Sequence, residues 1–282
     1  WRIDDIMVSF AATGGSVGAH VDQYDVFLLQ GQGHRRWQID ASDAMGRGVP
    51  SQDFRDDVEL KLLREFEPTH EWVLGPGDML YLPPMVPHHG VAEDPCLTFS
   101  VGMRAPSVAE LMGDYIDTLA AEADESIRYH DGDLAPQEDP NEIDADAMAR
   151  VVEALNVMRM RDPDRLGDWF GSFITGYRNA HQVVAGGEPP PRIELEWLLS
   201  QDQAVLQRNP FTRMAWRRAQ NGARLFASGT AWPLPLRDAR TLAAEPRLDG
   251  RAYAALSDSG RDAVHELLAQ GHYTVLDADD AG

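Results

Sequence analysis

The chain has 282 residues, enough for two or three domains, and 46 acidic against 25 basic residues leave a net charge of −21. That balance argues against nucleic acid as a partner for the surface as a whole and suits a cationic partner such as an Arg- or Lys-rich protein, although plain solubility or a salt-adapted host accounts for it equally. A single cysteine, Cys96, excludes an internal disulfide and zinc-ribbon spacing; it fits a reducing compartment such as the cytoplasm, and less well a secreted protein without disulfides, and no apolar run approaches the length of a membrane span.

The chain enters strand-like sequence directly at Trp1, so the expectation is that an N-terminal portion precedes it. From Trp1 to about Pro106 the pattern is β-rich. Ile6–Ala11 reads as a strand and Thr13-Gly14-Gly15-Ser16 as the turn after it. Gly18-Ala19-His20-Val21-Asp22-Gln23-Tyr24-Asp25 reads as extended. On a strand its alternation projects His20 and Asp22 from one face. Tyr24 and Asp25, beside them, are candidates for gripping a substrate side chain, with a structural role equally open. Asp25–Gln30 has the nearly continuous apolar character of a buried strand, and Gly31-Gln32-Gly33 makes a tight connection. In His34–Ile39, Arg35, Trp37 and Ile39 share one face. If Trp37 and Ile39 face the core, Arg35 is aimed inward as well and calls for an anion, because a buried guanidinium without a partner is expensive. Arg36, on the other face, is solvated.

Residues 52–70 read as a charged loop with a short helical piece. Trp72–Leu74 and Met79–Leu82 are strands about a Gly75-Pro76-Gly77-Asp78 turn, in which Asp78 is a turn former rather than a ligand. Pro83-Pro84 stops the second strand and leads to a loop bearing Pro87-His88-His89-Gly90. Leu97–Gly102 closes the region. Short strands joined by Gly/Pro turns, without helices between them, indicate a β-barrel or jelly-roll. Two imidazoles and one carboxylate on one side of a metal, with positions left open, form the ligand set of non-haem Fe(II) oxygenases. His20, Asp22 and His88 are the expected set. His89 competes for the third place, and only one of the two can bind, since neighbours in an extended segment point opposite ways.

The character changes at Ser107. Ser107-Val108-Ala109-Glu110 is a capping-box signature, and Val108, Leu111, Met112, Tyr115, Ile116 and Leu119 recur at helical spacing. Residues 122–146 carry ten carboxylates against Arg128 alone, a loop too charged to bury. Helices are expected near Ala145–Met160 and Asp162–Ala180. The second carries an apolar stripe of Leu166, Trp169, Phe170, Phe173, Ile174 and Tyr177, as core or as a dimer interface. Gly186-Gly187-Glu188-Pro189-Pro190-Pro191 reads as a linker. A helix at Glu194–Ser200 follows, then a hairpin with arms Thr212–Ala219 and Arg224–Ala227 about a type I′ turn at Asn221-Gly222. Helices at Arg237–Ala244 and Arg261–Gln270 and a strand at Tyr273–Leu276 complete a winged-helix-like module. Its basic residues Arg213, Arg217, Arg218 and Arg224 are scattered along the hairpin, which favours scaffolding or substrate docking over nucleic-acid binding. The expected divisions are 1–106, 107–185 and 186–282.

The run from Trp1 to Pro106 resembles the JmjC-type 2-oxoglutarate oxygenases, and within them the bacterial ribosomal oxygenases that hydroxylate an arginine of a large-subunit ribosomal protein. The resemblance rests on Trp1-Arg2-Ile3-Asp4-Asp5, Gly18 through Phe27, Gln30-Gly31, Arg35-Arg36-Trp37, Gly77-Asp78, Tyr81-Leu82-Pro83-Pro84, Pro87-His88 and Ser100 through Pro106. It extends with weaker motifs through the remainder. It implies an α+β chain: a double-stranded β-helix (a cupin-like jelly-roll), a helical dimerisation region and a winged-helix end. It implies Fe(II) on His20, Asp22 and His88 rather than His89. It further implies 2-oxoglutarate with its distal carboxylate on Arg35 helped by the hydroxyl of Ser9, and O₂ as co-substrate. A basic ribosomal protein would be the substrate of a homodimer, with no direct nucleic-acid or membrane partner. Thr98 stands where many relatives carry Asn, a departure at the cofactor pocket. The alternatives are a hydroxylase of histidine or asparagine, a lysine demethylase, or a non-catalytic cupin-like scaffold.

Overall fold

In the computed structural model, residues 2–42, 54–58, 61–124, 126, 128–130, 132, 143–157, 163–177, 183, 187–201 and 203–277 are described. The chain falls into two units, Arg2–Ser107 and the part from Val108 onward. Seven strands build the first: β1 (Asp5–Ala11), β2 (Asp25–Gln32), β3 (Arg35–Ile39), β4 (His70–Leu74), β5 (Met79–Leu82), β6 (His88–Ala92) and β7 (Cys96–Met103). They form two sheets, β1-β7-β2-β5 and β4-β3-β6, antiparallel throughout. The short links from β2 to β3, β4 to β5, β5 to β6 and β6 to β7 each carry the chain from one sheet to the other, so the strands that pair within a sheet are mostly distant in sequence. This is the expected jelly-roll. Between the sheets, Val26 and Leu28 meet Trp37 and Leu82.

Alternation places Arg35 with Trp37 on the inner face of β3, and its side chain is only 6% exposed. Arg36 faces outward and donates to Glu93 (2.6 Å) and Glu71 (3.3 Å). Asp78 accepts from the Gly75 N–H (2.9 Å), as a turn former should. Two expectations are corrected. The segment around His20 is not a strand: His20 makes isolated bridges to His88 and Leu62, and β2 begins only at Asp25. Gly18, at φ 105°, interrupts the extended run. Conversely, His88 is not in a loop but opens β6, in register with Ile39. Of the charged stretch 52–70, the described residues before β4 make turns and bridges but no helix. Residues 52, 53, 59 and 60 lie outside the described residues.

The second unit comprises α1 (Val108–Ala121), α2 (Ala145–Val157), α3 (Pro163–Gly176), α4 (Arg192–Ser200), β8 (Ala204–Arg208), β9 (Met214–Ala219), β10 (Gly222–Ala227), β11 (Thr230–Leu234), α5 (Leu236–Ala244), β12 (Arg247–Leu248), α6 (Gly250–Ala254), α7 (Asp258–Ala269) and β13 (Tyr273–Asp277). Its sheets are β11-β10-β9 and β12-β8-β13. Leu199, Leu206, Leu225, Leu242 and Leu267 are fully buried in one core. The hairpin turn differs from expectation. Ala219 pairs with Gly222, so Gln220 and Asn221 form the turn, and neither has positive φ. A type I′ turn needs both. That geometry occurs one hairpin later, at Ser228 (φ 46°) and Gly229 (φ 95°), between Ala227 and Thr230. The strand it creates, β11, was not expected.

The α3 helix packs on this wing. A Cβ on Gly171 would lie 2.4 Å from the Phe226 ring, so only glycine admits the contact. Arg217 donates to Asp168 (2.9 Å) and pairs with Asp164, and Arg213 donates to the carbonyls of Ile174 (3.2 Å) and Tyr177 (2.8 Å). Trp169 on α3 and Tyr177 just after it donate to Asp114 (2.7 Å) and Glu110 (2.8 Å) on α1. Val108, Met112 and Ile116 on α1, and Met148, Val152 and Leu155 on α2, are exposed. Much of the acidic 122–146 stretch (Glu125, Asp131, Asp133, Glu138, Asp139, Glu142), residues 158–162 and 178–180 of the expected helices, and Gly186 of the linker lie outside the described residues. Among the described residues, no helix is long and apolar enough to cross a membrane.

Candidate metal centre

The backbones of His20 and His88 are locked face to face. Each N–H donates to the other's carbonyl, at 3.0 and 2.9 Å, and the rings lie 4.3 Å apart. Each imidazole is oriented by a carbonyl two residues earlier: Nδ1 lies 2.9 Å from Gly18 O in one and 2.9 Å from Val86 O in the other. A carbonyl can only accept, so Nδ1 carries the proton and Nε2 is left with its lone pair. That is the tautomer a metal requires. Asp22 completes the group, with Oδ2 3.6 Å from His88 Nε2. Its carbonyl accepts from the N–H of Met85 (2.7 Å), whose φ of 65° bends the Pro83–Pro87 turn against it. One ligand atom from each of the three lies within 4.8 Å of the others, and among the described residues no other such group of three occurs. Ligand bonds of about 2.0–2.2 Å put two donors at most ~4.4 Å apart, so small side-chain adjustments close the set on one ion. Burial, and then the neighbouring His20, push the His88 pKa down to about 4, which keeps it in the neutral, ligating form. His89 points to the other face of β6, where its Nε2 meets Ser16 Oγ (2.8 Å). It is not a member of the triad.

The same cavity, about 160 Å³, is lined by Arg35 and Ser9. Arg35 donates to Gly90 O (3.3 Å) and weakly to Ser9 Oγ (3.5 Å), and rests over the Trp37 ring at 4.8 Å. Its Nε has no partner, and burial lowers its pKa. A Cβ on Gly90 would lie 2.7 Å from both Arg35 Nε and the Trp37 ring, so glycine there makes room for the guanidinium. A buried cation with an unused donor is a site for a small anion. Thr98 does not line this cavity: its hydroxyl donates to buried Gln30 (3.0 Å), which accounts for it structurally.

The two substrate candidates separate. Tyr24 lines the cavity, and burial followed by the carboxylates of Asp22 and Asp5 raises its pKa. Asp25 does not; it accepts from the hydroxyl of Tyr81 (2.5 Å), which lines no part of the cavity. Alternation explains the correction, because successive residues entering β2 point to opposite sides. Asp5 and Met7 are among the lining residues that escaped the sequence reading. The signal was present, since Asp5, Met7 and Ser9 alternate along one strand. The pairing of β1 with β7, Asp5 to Gly102 and Met7 to Ser100, decides that this face looks inward. A Cβ on Gly102 would lie 2.6 Å from Asp5 Oδ1 and 3.4 Å from the Tyr24 ring. Carboxylate and phenol therefore flank one spot.

Comparison with known proteins agrees with this picture. The JmjC domain family matches residues 1–111, and the ROXA-like winged helix matches residues 158–274, a span that includes α3. The chain is 38% identical over 194 residues to the ribosomal protein uL16 3-hydroxylase of Escherichia coli (strain K12), covering 67% of this chain and 49% of that protein. It is 34% identical over 238 residues to a probable ribosomal oxygenase of Haemophilus influenzae, covering 81% and 56%. The chain thus spans about half the length of these curated relatives. Among solved structures, Escherichia coli YcfD in complex with cobalt and 2-oxoglutarate superposes with a TM-score of 0.78 at 30% identity, covering 98% of this chain and 71% of that one.

Proposed function

Because the chain belongs to the JmjC family of ribosomal oxygenases, we propose that it is an Fe(II)- and 2-oxoglutarate-dependent protein hydroxylase acting on an arginine of a large-subunit ribosomal protein. The observation that carries the reading is one cavity holding both a three-donor cluster and a buried guanidinium with an unused N–H.

In this reading His20, Asp22 and His88 hold the metal from one side, leaving positions open for the keto acid and O₂. Bound there, ferrous iron supplies O₂ activation coupled to oxidative decarboxylation of 2-oxoglutarate to succinate and CO₂, chemistry no side chain performs. Arg35 takes the distal carboxylate through parallel hydrogen bonds, with Ser9 as a further donor. Val26, Leu28 and Trp37 provide an apolar wall that keeps water away. At the mouth, Asp5 offers a carboxylate to a cationic side chain, while Tyr24 and Met7 supply flat and flexible apolar contact along its stem. The acidic surface steers a basic protein towards it. The exposed apolar faces of α1 and α2 suit a homodimer through the helical region, and a ribosomal substrate places the enzyme in the cytoplasm.

The test is incubation of the purified chain with iron, 2-oxoglutarate and large-subunit ribosomal proteins, read by succinate release and by mass spectrometry. A one-oxygen increment on an arginine, lost with His20→Ala, is the expected result. Succinate release without arginine oxidation would reassign the target residue. No iron-dependent succinate at all would leave a scaffold.

A further inference from the structure

Residues 14–20 lie along the open edge of β6. At one end Gly14 N–H donates to Ala92 O (2.8 Å) and Ala92 N–H to Gly15 O (3.1 Å); at the other is the two-way bridge between His20 and His88. Between these anchors the segment advances five residues, 15 to 20, while β6 advances four, 92 back to 88. The ladder cannot continue across that mismatch. The extra residue is taken up near Gly18, at φ 105°. Side chains fill the gap: Ser16 Oγ accepts from the Gly18 N–H (3.0 Å) and lies 2.8 Å from His89 Nε2. The Gly18 carbonyl accepts from His20 Nδ1 (2.9 Å). Hydrogen bonds on either side of Gly18 therefore link His89 to His20, through Ser16 to the Gly18 N–H and, across the Gly18 Cα, from its carbonyl to the ring.

We propose that His89 and Ser16 are positioning residues for His20: they set the orientation of Gly18, whose carbonyl fixes the tautomer and tilt of that ring. The adjacent histidines of β6 then divide the work, because the pleat sends them to opposite faces. His88 is held within β6 and by Val86 O, but His20 sits on irregular backbone at a glycine free to rotate. Phe66 meets the His89 ring edge-on at 6.0 Å and limits its own freedom. The inference rests on the reading of His20, Asp22 and His88 as metal ligands.

The test is Co(II) titration of the metal-free full chain, read by dissociation constant and by the visible absorption of the bound ion. Ser16→Ala and His89→Ala should each weaken binding about tenfold, the lower end of what loss of a ligand's outer partner does, and should alter the absorption. The double variant should be no weaker than either single one, since both act through the same peptide. His89→Gln, whose amide reaches Ser16, should restore most of the affinity, and thermal midpoints of the metal-free forms should stay together. Binding within about twofold of the parent in both single variants, with unchanged absorption, overturns the proposal; so do losses that multiply in the double variant. Parent protein that binds no Co(II) would sink the metal reading and this inference together, whereas parent binding indifferent to Ser16 and His89 sinks the inference alone.

Discussion

The two units of the chain bury different things. In the second, a cluster of twenty apolar residues between Leu195 and Tyr273 fills the space among α4–α7 and two small sheets. In the jelly-roll the corresponding cluster is four residues; among the described residues each unit buries four polar side chains, Gln30, Arg35, His88 and Thr98 here against Thr175, Thr212, Asp238 and His272 there, and those of the second unit are all hydrogen-bonded within it. Apolar burial favours folding in proportion to area, whereas burying an imidazole and a guanidinium opposes it. Gln30 and Thr98 satisfy each other; Arg35 keeps a buried Nε without a partner, and both Arg35 and His88 line a cavity. The contrast teaches where stability and chemistry reside: one unit is built to persist, the other to hold groups that are costly until a ligand meets them.

The sharpest challenge to that contrast is the metal cluster. His20→Ala or Asp22→Ala should reduce iron-dependent succinate formation to background while leaving the melting of the metal-free protein nearly unchanged; a variant that keeps turning over would show that the cluster is not the site. Leu225→Ala, in the other unit, should lower stability to urea by about 2–5 kcal/mol with no change in KM for 2-oxoglutarate per folded molecule. A third test is pH. Burial holds the folded-state pKa of His88 at about 4 against an ordinary 6.5, so the unfolded chain binds the proton more readily in between. Stability of the metal-free protein should therefore fall as pH drops from 6.5 towards 4. Urea midpoints of His88→Gln should lack that component. Finally, Arg35→Gln should raise KM for 2-oxoglutarate about 10- to 100-fold, from loss of a charge-assisted hydrogen bond of about 1.5–3 kcal/mol. Without 2-oxoglutarate the same variant should be no less stable than the parent, because it removes an unpaired buried charge. Calorimetric titration against unfolding curves separates the two effects.

Much of this was readable along the chain. Period-two alternation in Arg35–Ile39 put Arg35 inward and Arg36 in water, as found, and the helical spacing of Leu166 to Tyr177 marked α3. Those are local facts, and a single strand or helix is enough to express them. The His20-x-Asp22 spacing also survived, but for another reason than expected: the two converge on an irregular segment held by its bridge to His88 rather than on a strand. The Asn221-Gly222 signal named the right hairpin and the wrong turn, since the strand register set by Leu225 against Trp216 outweighed the preference of two residues.

Residue order along the chain determined that Arg35 shares the inner face of its strand with Trp37, and it supplied the donor types and spacing that marked His20, Asp22 and His88. Folding in three dimensions settled which faces look at each other: that Asp5 and Met7 join the cavity, that Asp25 meets Tyr81 outside it, and that His89 meets Ser16 on the far face of β6. The reason is range. Alternation depends on neighbours one and two residues away, whereas the pairing of β1 with β7 and the laying of residues 14–20 against β6 join parts of the chain tens of residues apart, and nothing in either partner alone specifies the register.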